Sequence, residues 1–322
     1  MRGRLALLAL GGVGLAAALR TLPIDLSAVP GAVLRIGLLG FVVICTVHAA
    51  TTVLCAAAWR SLVQPRPSLR LFCGLRWLRD AGDEMLAVLP GAGSLASLRA
   101  MRLAGFPVES AGAALVADLT IEMLGQLVFT ALGLAVLLRG ASDPHLLHWA
   151  LVGAGSLAAL VAAFVLAQLA GLAGRLEGAR AGRMSHRLAR ALALGREMEG
   201  RLRAAYTGRG RTGRALALHV LAWLVGTGEA WIALHRMGAS LAPGSVLALE
   251  SLVFAVRSAA FFVPGSIGVQ EGSYALLGAA LGLRPEVALA VSLVKRGREI
   301  VLGVPALVAW QAIEGRRALA RH

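Results

Sequence analysis

Apolar runs about as long as a bilayer is thick alternate along this chain with short basic connections. A bilayer core is crossed by about 20 apolar residues of helix. Six runs meet that length or nearly so: Leu5–Leu22, Ile36–Trp59, Ala111–Leu138, Leu146–Ala173, Ala215–Leu234 and Val287–Trp310. They predict six spanning helices, although Arg2 and Arg4 ahead of the first run also fit a signal peptide. Two further segments, about 68–105 and 245–283, are apolar but broken by Pro-Gly pairs, Pro90-Gly91 and Pro264-Gly265. Each is expected to form a re-entrant hairpin or a pair of full spans. The expected fold is therefore an all-α polytopic membrane protein with six spans and two broken hairpins, or eight or more spans.

Composition agrees. Of 322 residues 58% are hydrophobic and only 15% charged, with a mean hydropathy of +0.75, well outside soluble usage. A net charge of +15 raises the question of nucleic acid, and its distribution answers against it. Eleven arginines fall between Arg175 and Arg214, a segment with three acids, and most others flank apolar runs. That is the pattern of cytoplasmic loops. With the 175–214 loop inside, counting spans outward also places Arg2, Arg4, Arg60, Arg66, Arg70, Arg316, Arg317 and Arg321 inside, while the weakly charged segment 139–145 falls outside. Both termini are then cytoplasmic, provided that neither broken segment adds a net crossing. Cys45, Cys55 and Cys73 have no metal or disulfide spacing, so no metal and no cofactor is expected.

The two broken segments resemble each other. Pro90-Gly91 is answered by Pro264-Gly265 after 174 residues, and Pro107 by Pro285 and Leu124-Gly125 by Leu302-Gly303 after 178. An odd number of crossings separates equivalent points, so the second half is expected to lie upside down relative to the first. The units are 1–30, a first helix; 31–138, repeat 1; 139–174, a connecting helix; 175–214, a basic loop; 215–314, repeat 2; and 315–322, a tail. Inverted repeats with Pro/Gly breaks at matching places are the arrangement of transporters, which bind cargo between the halves.

Charges lie where lipid makes them expensive. Asp118 and Glu122 fall near mid-span, as do Lys295, Arg296, Arg298 and Glu299. Unpaired, the six would cost on the order of 15 kcal/mol, so they are expected to face the bundle interior, with the acidic stripe of one half against the basic cluster of the other. The start of the helix after Pro264-Gly265 offers free amides near Gly268, suited to an anion such as a phosphate headgroup. Glu271 can cap those amides or meet an ammonium group; the alternative is a kink in which Glu271 is a local cap only. Gly278 and Gly282 read as packing positions, His48 and His219 as hydrogen-bonded core histidines, and Glu229 as paired to a neighbouring helix. Segment 69–85 is amphipathic and is expected along the interface before it dips inward.

With "PGSIGVQEGSY" and "LVKRGREIVLG" in view, the chain resembles the lysylphosphatidylglycerol synthase transmembrane (flippase-domain) family over about residues 30–314. Within that family it is most similar to bacterial membrane proteins associated with hopanoid biosynthesis. The resemblance implies an inner-membrane protein that moves an amphipathic lipid between leaflets, with lipid-biosynthetic enzymes as possible partners. It nominates Pro264, Gly265, Gly268, Glu271, Arg296 and Arg298 for the lipid pathway, beside Lys295, Glu299, Asp118 and Glu122. Pro90, Gly91 and Arg99 are the first-repeat counterparts, where Ser94 and Arg99 stand in place of a glutamate. The aminoacyl-transferring domain of the two-part synthases is absent from the sequence, so no enzymatic activity is expected. Two other readings stay open: a membrane-embedded polyprenyl-diphosphate phosphatase, prompted by Asp118/Glu122 and "PGS", and a scaffold for lipid biosynthesis.

Overall fold

A computed structural model describes residues 24–86, 91–140, 144–169, 186–260 and 263–319. Ten α-helices and one 3-10 turn are found among the described residues, and no strand. In chain order they are α1 (Ala28–Ser61), α2 (Leu69–Met85), α3 (Ala92–Leu103), α4 (Val108–Gly140), α5 (Pro144–Leu169), α6 (His186–Thr207), α7 (Arg209–Arg236), α8 (Pro243–Ala259), the turn Pro264–Ser266, α9 (Val269–Ala280) and α10 (Pro285–Leu319).

Among the described residues four helices are long and apolar enough to cross a membrane: α1, α4, α5 and α7. Each contains the run expected there, the end of the fourth run excepted, because residues 170–173 fall outside the described set. The Leu5–Leu22 run falls outside it too. α10 is a continuous helix of 35 residues, but the charges Lys295 to Glu299 in its middle make it less apolar than the other four. Gly37 interrupts α1 with a φ of 65° and ψ of 168°, a conformation open to glycine and little else.

The two broken segments are both helix pairs, and their dimensions match. α2 and α8 each have 17 residues, α3 and α9 each 12. At 1.5 Å per residue these helices are about 25 Å and 18 Å long. The packing matches as well. Exchanging α1–α4 with α7–α10 carries α2 against α10 onto α8 against α4, α1 against α10 onto α7 against α4, and α3 against α4 onto α9 against α10. α1 and α7 pair with each other in antiparallel fashion, as Arg35 Nη1 donating to Met237 O at one end and the contact of Thr51 with Gly226 nearer the other require.

Small residues make the close approaches. A Cβ on Gly93 would sit 1.8 Å from the Arg79 carbonyl oxygen, so α2 and α3 touch backbone to backbone at Gly82 and Gly93. A Cβ on Gly278 would lie 2.6 Å from Ala288 Cβ, while Gly282 ends α9 at a φ of +85°. Of this glycine pair, then, the first packs and the second turns the chain. α6 sets Met198 against Gly112 and buries Leu202 against α4. Met198 and Leu202 of the basic segment are thus covered by the protein itself.

Candidate functional site

The amphipathic helix α2 does not lie along an interface with its charges outward. Its residues 76, 79, 80, 83 and 84 recur at helical spacing, and the arginines of that stripe are buried; Arg79 is 4% exposed. Against α4, Arg76 makes a bidentate pair with Glu122 (2.7 and 3.0 Å) and also holds Asp80. Arg79 bonds Asp118 at 2.7 Å and Glu122 as well. His219 of α7 reaches the other oxygen of Asp118 at 3.0 Å. The acidic stripe therefore meets arginines of its own half, not the basic cluster of the other. α2 passes beside α4 in the hairpin, and the guanidinium fork matches carboxylate geometry where lipid would penalise either charge alone.

The second half solves the same problem with its signs reversed. Lys295 of α10 pairs with Glu250 of α8, which also accepts from Tyr274 Oη. Arg298 pairs with Glu229 of α7, and the other oxygen of Glu229 accepts from His48 Nδ1 of α1 at 3.1 Å. Glu250 stands 174 residues after Arg76, so the hairpin helix contributes the base in the first half and the acid in the second. Aromatic faces assist: Lys295 Nζ lies 5.7 Å from the ring centres of Phe254 and of Tyr274, and Arg79 lies 5.7 Å from that of Trp59.

The break after Pro264-Gly265 is closed from within. Glu271 accepts from Gly268 N–H at 2.8 Å and from Arg296 Nε at 3.0 Å. Arg296 in turn donates to the carbonyls of Gly265 (2.8 Å) and Ser266 (3.3 Å) and to Glu299. The expected anion site at this helix start is thus taken by the protein's own carboxylate, because a glutamate at the third position of a helix reaches back to the cap amide. In the first repeat Gly91 caps α3 with a φ of 76° and Asp83 accepts from Gly93 N–H at 2.9 Å. Arg99 faces out and pairs with Glu314 of α10 at 2.6 Å. Pro90 lies outside the described residues.

Between the halves is a cavity of about 150 Å³. Three of the expected residues line it: Glu122, Lys295 and Arg298. Asp118, Arg296, Glu299, Gly265, Gly268 and Glu271 do not. The remaining charged lining comes from Arg76, Asp80, Glu84, Glu229, Glu250 and Arg257, with His48, Thr52, Trp223 and Phe254 between them. Sequence reasoning missed the α2 and α8 members, although the amphipathic pattern of 69–85 pointed to the first of them. Among the described residues Glu84 and Arg257 have no ion-pair or hydrogen-bond partner; Arg257 rests over the Phe254 ring at 5.3 Å. The cavity thus offers one acid and one base that no hydrogen bond holds. Cys55, Glu122 and His219 converge within 4.8 Å, but Glu122 is already held by two guanidinium groups, which is a poor setting for a metal.

The family model described as the lysylphosphatidylglycerol synthase TM region matches residues 5–306. No curated protein and no solved structure matches the chain.

Proposed function

This chain belongs to the lysylphosphatidylglycerol synthase transmembrane-region family, and on that premise we propose that it moves an amphipathic lipid between leaflets of the bacterial inner membrane without altering it covalently. The two matched helix sets are read as inverted repeats, with the hairpins α2–α3 and α8–α9 re-entrant from opposite sides and both termini cytoplasmic. Helices of 12 residues are too short to cross a core about 30 Å thick, which supports hairpins over paired spans.

The observation that carries the reading is the central cavity, where Arg257 and Glu84 stand without hydrogen bonds amid paired charges. A phosphate can take Arg257 and an amine can take Glu84, while the acyl chains stay in lipid. Neighbouring pairs such as Lys295–Glu250 and Arg298–Glu229 can exchange partners with a passing headgroup, so a charged group need never stand alone at low dielectric. Cargo of this chemistry includes amine-bearing or aminoacylated phospholipids; a hopanoid-type lipid with a polar amine-bearing head fits on the same terms.

The test is a leaflet-accessibility assay on purified protein in proteoliposomes, using a fluorescent amine-bearing phospholipid. Arg257→Ala and Glu84→Gln should each slow transfer about tenfold, the weight of one hydrogen bond to a charged group, with helix content unchanged. Full rates in both variants would set the reading aside, and so would release of phosphate from a polyprenyl diphosphate by the wild-type protein.

A further inference from the structure

Three voids follow one another along α2. The central cavity shares His48, Thr52, Asp80 and Glu84 with a second void of about 300 Å³. That void shares Gly74 and Trp77 with a groove of about 400 Å³ between α2, α3 and α10. The groove is apolar along its length, with Leu75 and Leu78 on one wall and Ala306 and Trp310 on the other, and it carries Arg70 and Arg317. Because α2 and α10 run antiparallel, the start of one and the end of the other bring these two arginines to the same end. Among the described residues neither has a carboxylate partner; Arg317 donates to Leu103 O at 3.4 Å. Polarity along α2 therefore runs from free cations, through an apolar trough, to the charged cavity.

Trp77 stands where groove and second void meet. It is 38% exposed, and its indole Nε1 donates to Leu302 O of α10 at 2.8 Å. That carbonyl lies one turn before Pro305, whose missing N–H leaves the carbonyl of Val301 without its usual helical donor. The tryptophan is thus fastened to a stretch of α10 that lacks one internal helical bond.

We propose that this groove seats an anionic phospholipid, with its phosphate on Arg70 and Arg317 and one acyl chain in the trough, and that Trp77 is the door between this seat and the central cavity. An acyl chain matches an apolar trough, and two guanidinium groups without carboxylate partners at its end match a negatively charged head. The proposal rests on the transport reading for the purpose of the door, but occupancy of the seat does not require transport.

The seat is tested by reconstituting the full chain in vesicles containing phosphatidylglycerol with a photoactivatable acyl chain, then mapping the cross-links. Label should concentrate on residues 71–78 of α2 and 306–313 of α10. It should fall about thirtyfold in Arg70→Gln/Arg317→Gln and to a similar level with phosphatidylcholine, as expected for two lost charge contacts. Label of equal strength along α5, or label insensitive to lipid charge and to the double variant, would mean ordinary surrounding lipid and overturn the seat. The door is tested on Cys55, which lines the central cavity, with Cys45 and Cys73 replaced by serine. A lipid-borne maleimide should modify Cys55 faster in Trp77→Ala than in the parent by severalfold, and Trp77→Phe, which keeps the ring but loses the donor, should fall between them. Equal rates in all three would remove Trp77 from that role. Cross-linking that persists in a protein inactive for transfer leaves the seat standing and sinks the transport reading; the converse result separates them the other way.

Discussion

Buried ion pairs show how single residues bear on stability here. Replacing Lys295 with Met would leave the Glu250 carboxylate buried beside Tyr274 with no cation. Such a loss costs about 3–5 kcal/mol, read as a lower unfolding midpoint in detergent. The double variant Lys295→Met/Glu250→Leu should recover most of it, because no charge is then stranded. A second contrast concerns space. Gly93→Ala drives a methyl into the Arg79 carbonyl and should destabilise the hairpin by about 3 kcal/mol or more. Gly155→Ala, where a Cβ meets nothing within 4 Å, should be stabilising by about 0.5–1 kcal/mol. At this scale the sequence was readable in kind but not in partner. Mid-span charges had to be matched, yet nothing along the chain said that Asp118 meets Arg79 and not Arg296. That choice depends on how closely α2 runs beside α4, which is set by Gly82, Gly93 and other small contacts scattered over the sequence.

At the scale of elements, the hydrophobic pattern located the long helices well, since lipid enforces length and apolarity together. It misjudged α2, because an amphipathic helix at a membrane surface and one whose charged face is turned into a wet interior have the same periodicity. The hairpin break was legible as a break; its filling by Glu271 and Arg296 was legible only in half, as a cap. This element carries its own prediction. Glu271→Gln keeps the size of the side chain but weakens its bonds to Gly268 N–H and Arg296 Nε. Amide exchange over residues 265–272 should then accelerate about tenfold, matching the loss of roughly one charge-assisted bond, while exchange in α4 stays as it was.

For the whole molecule, the matched lengths and exchanged packing of α1–α4 and α7–α10 accord with an inversion, and labelling can decide its sense. On a cysteine-free background, Ala104→Cys and Arg284→Cys follow α3 and α9 at equivalent turns. An impermeant maleimide added to intact cells should modify the second and spare the first; modification of both from one side would mean parallel halves. The distribution of polar contacts has a mechanical meaning of its own. Among the described residues every buried arginine or lysine is neutralised by a carboxylate of its own half, and the halves are joined across the interior by His48–Glu229, His219–Asp118 and Gln126–Ser258. The buried ion pairs thus lie within each half, and the seam between the halves carries these lighter contacts and the exposed pair Arg99–Glu314. Moving one half against the other, as the proposed transport would require, would leave those buried pairs intact.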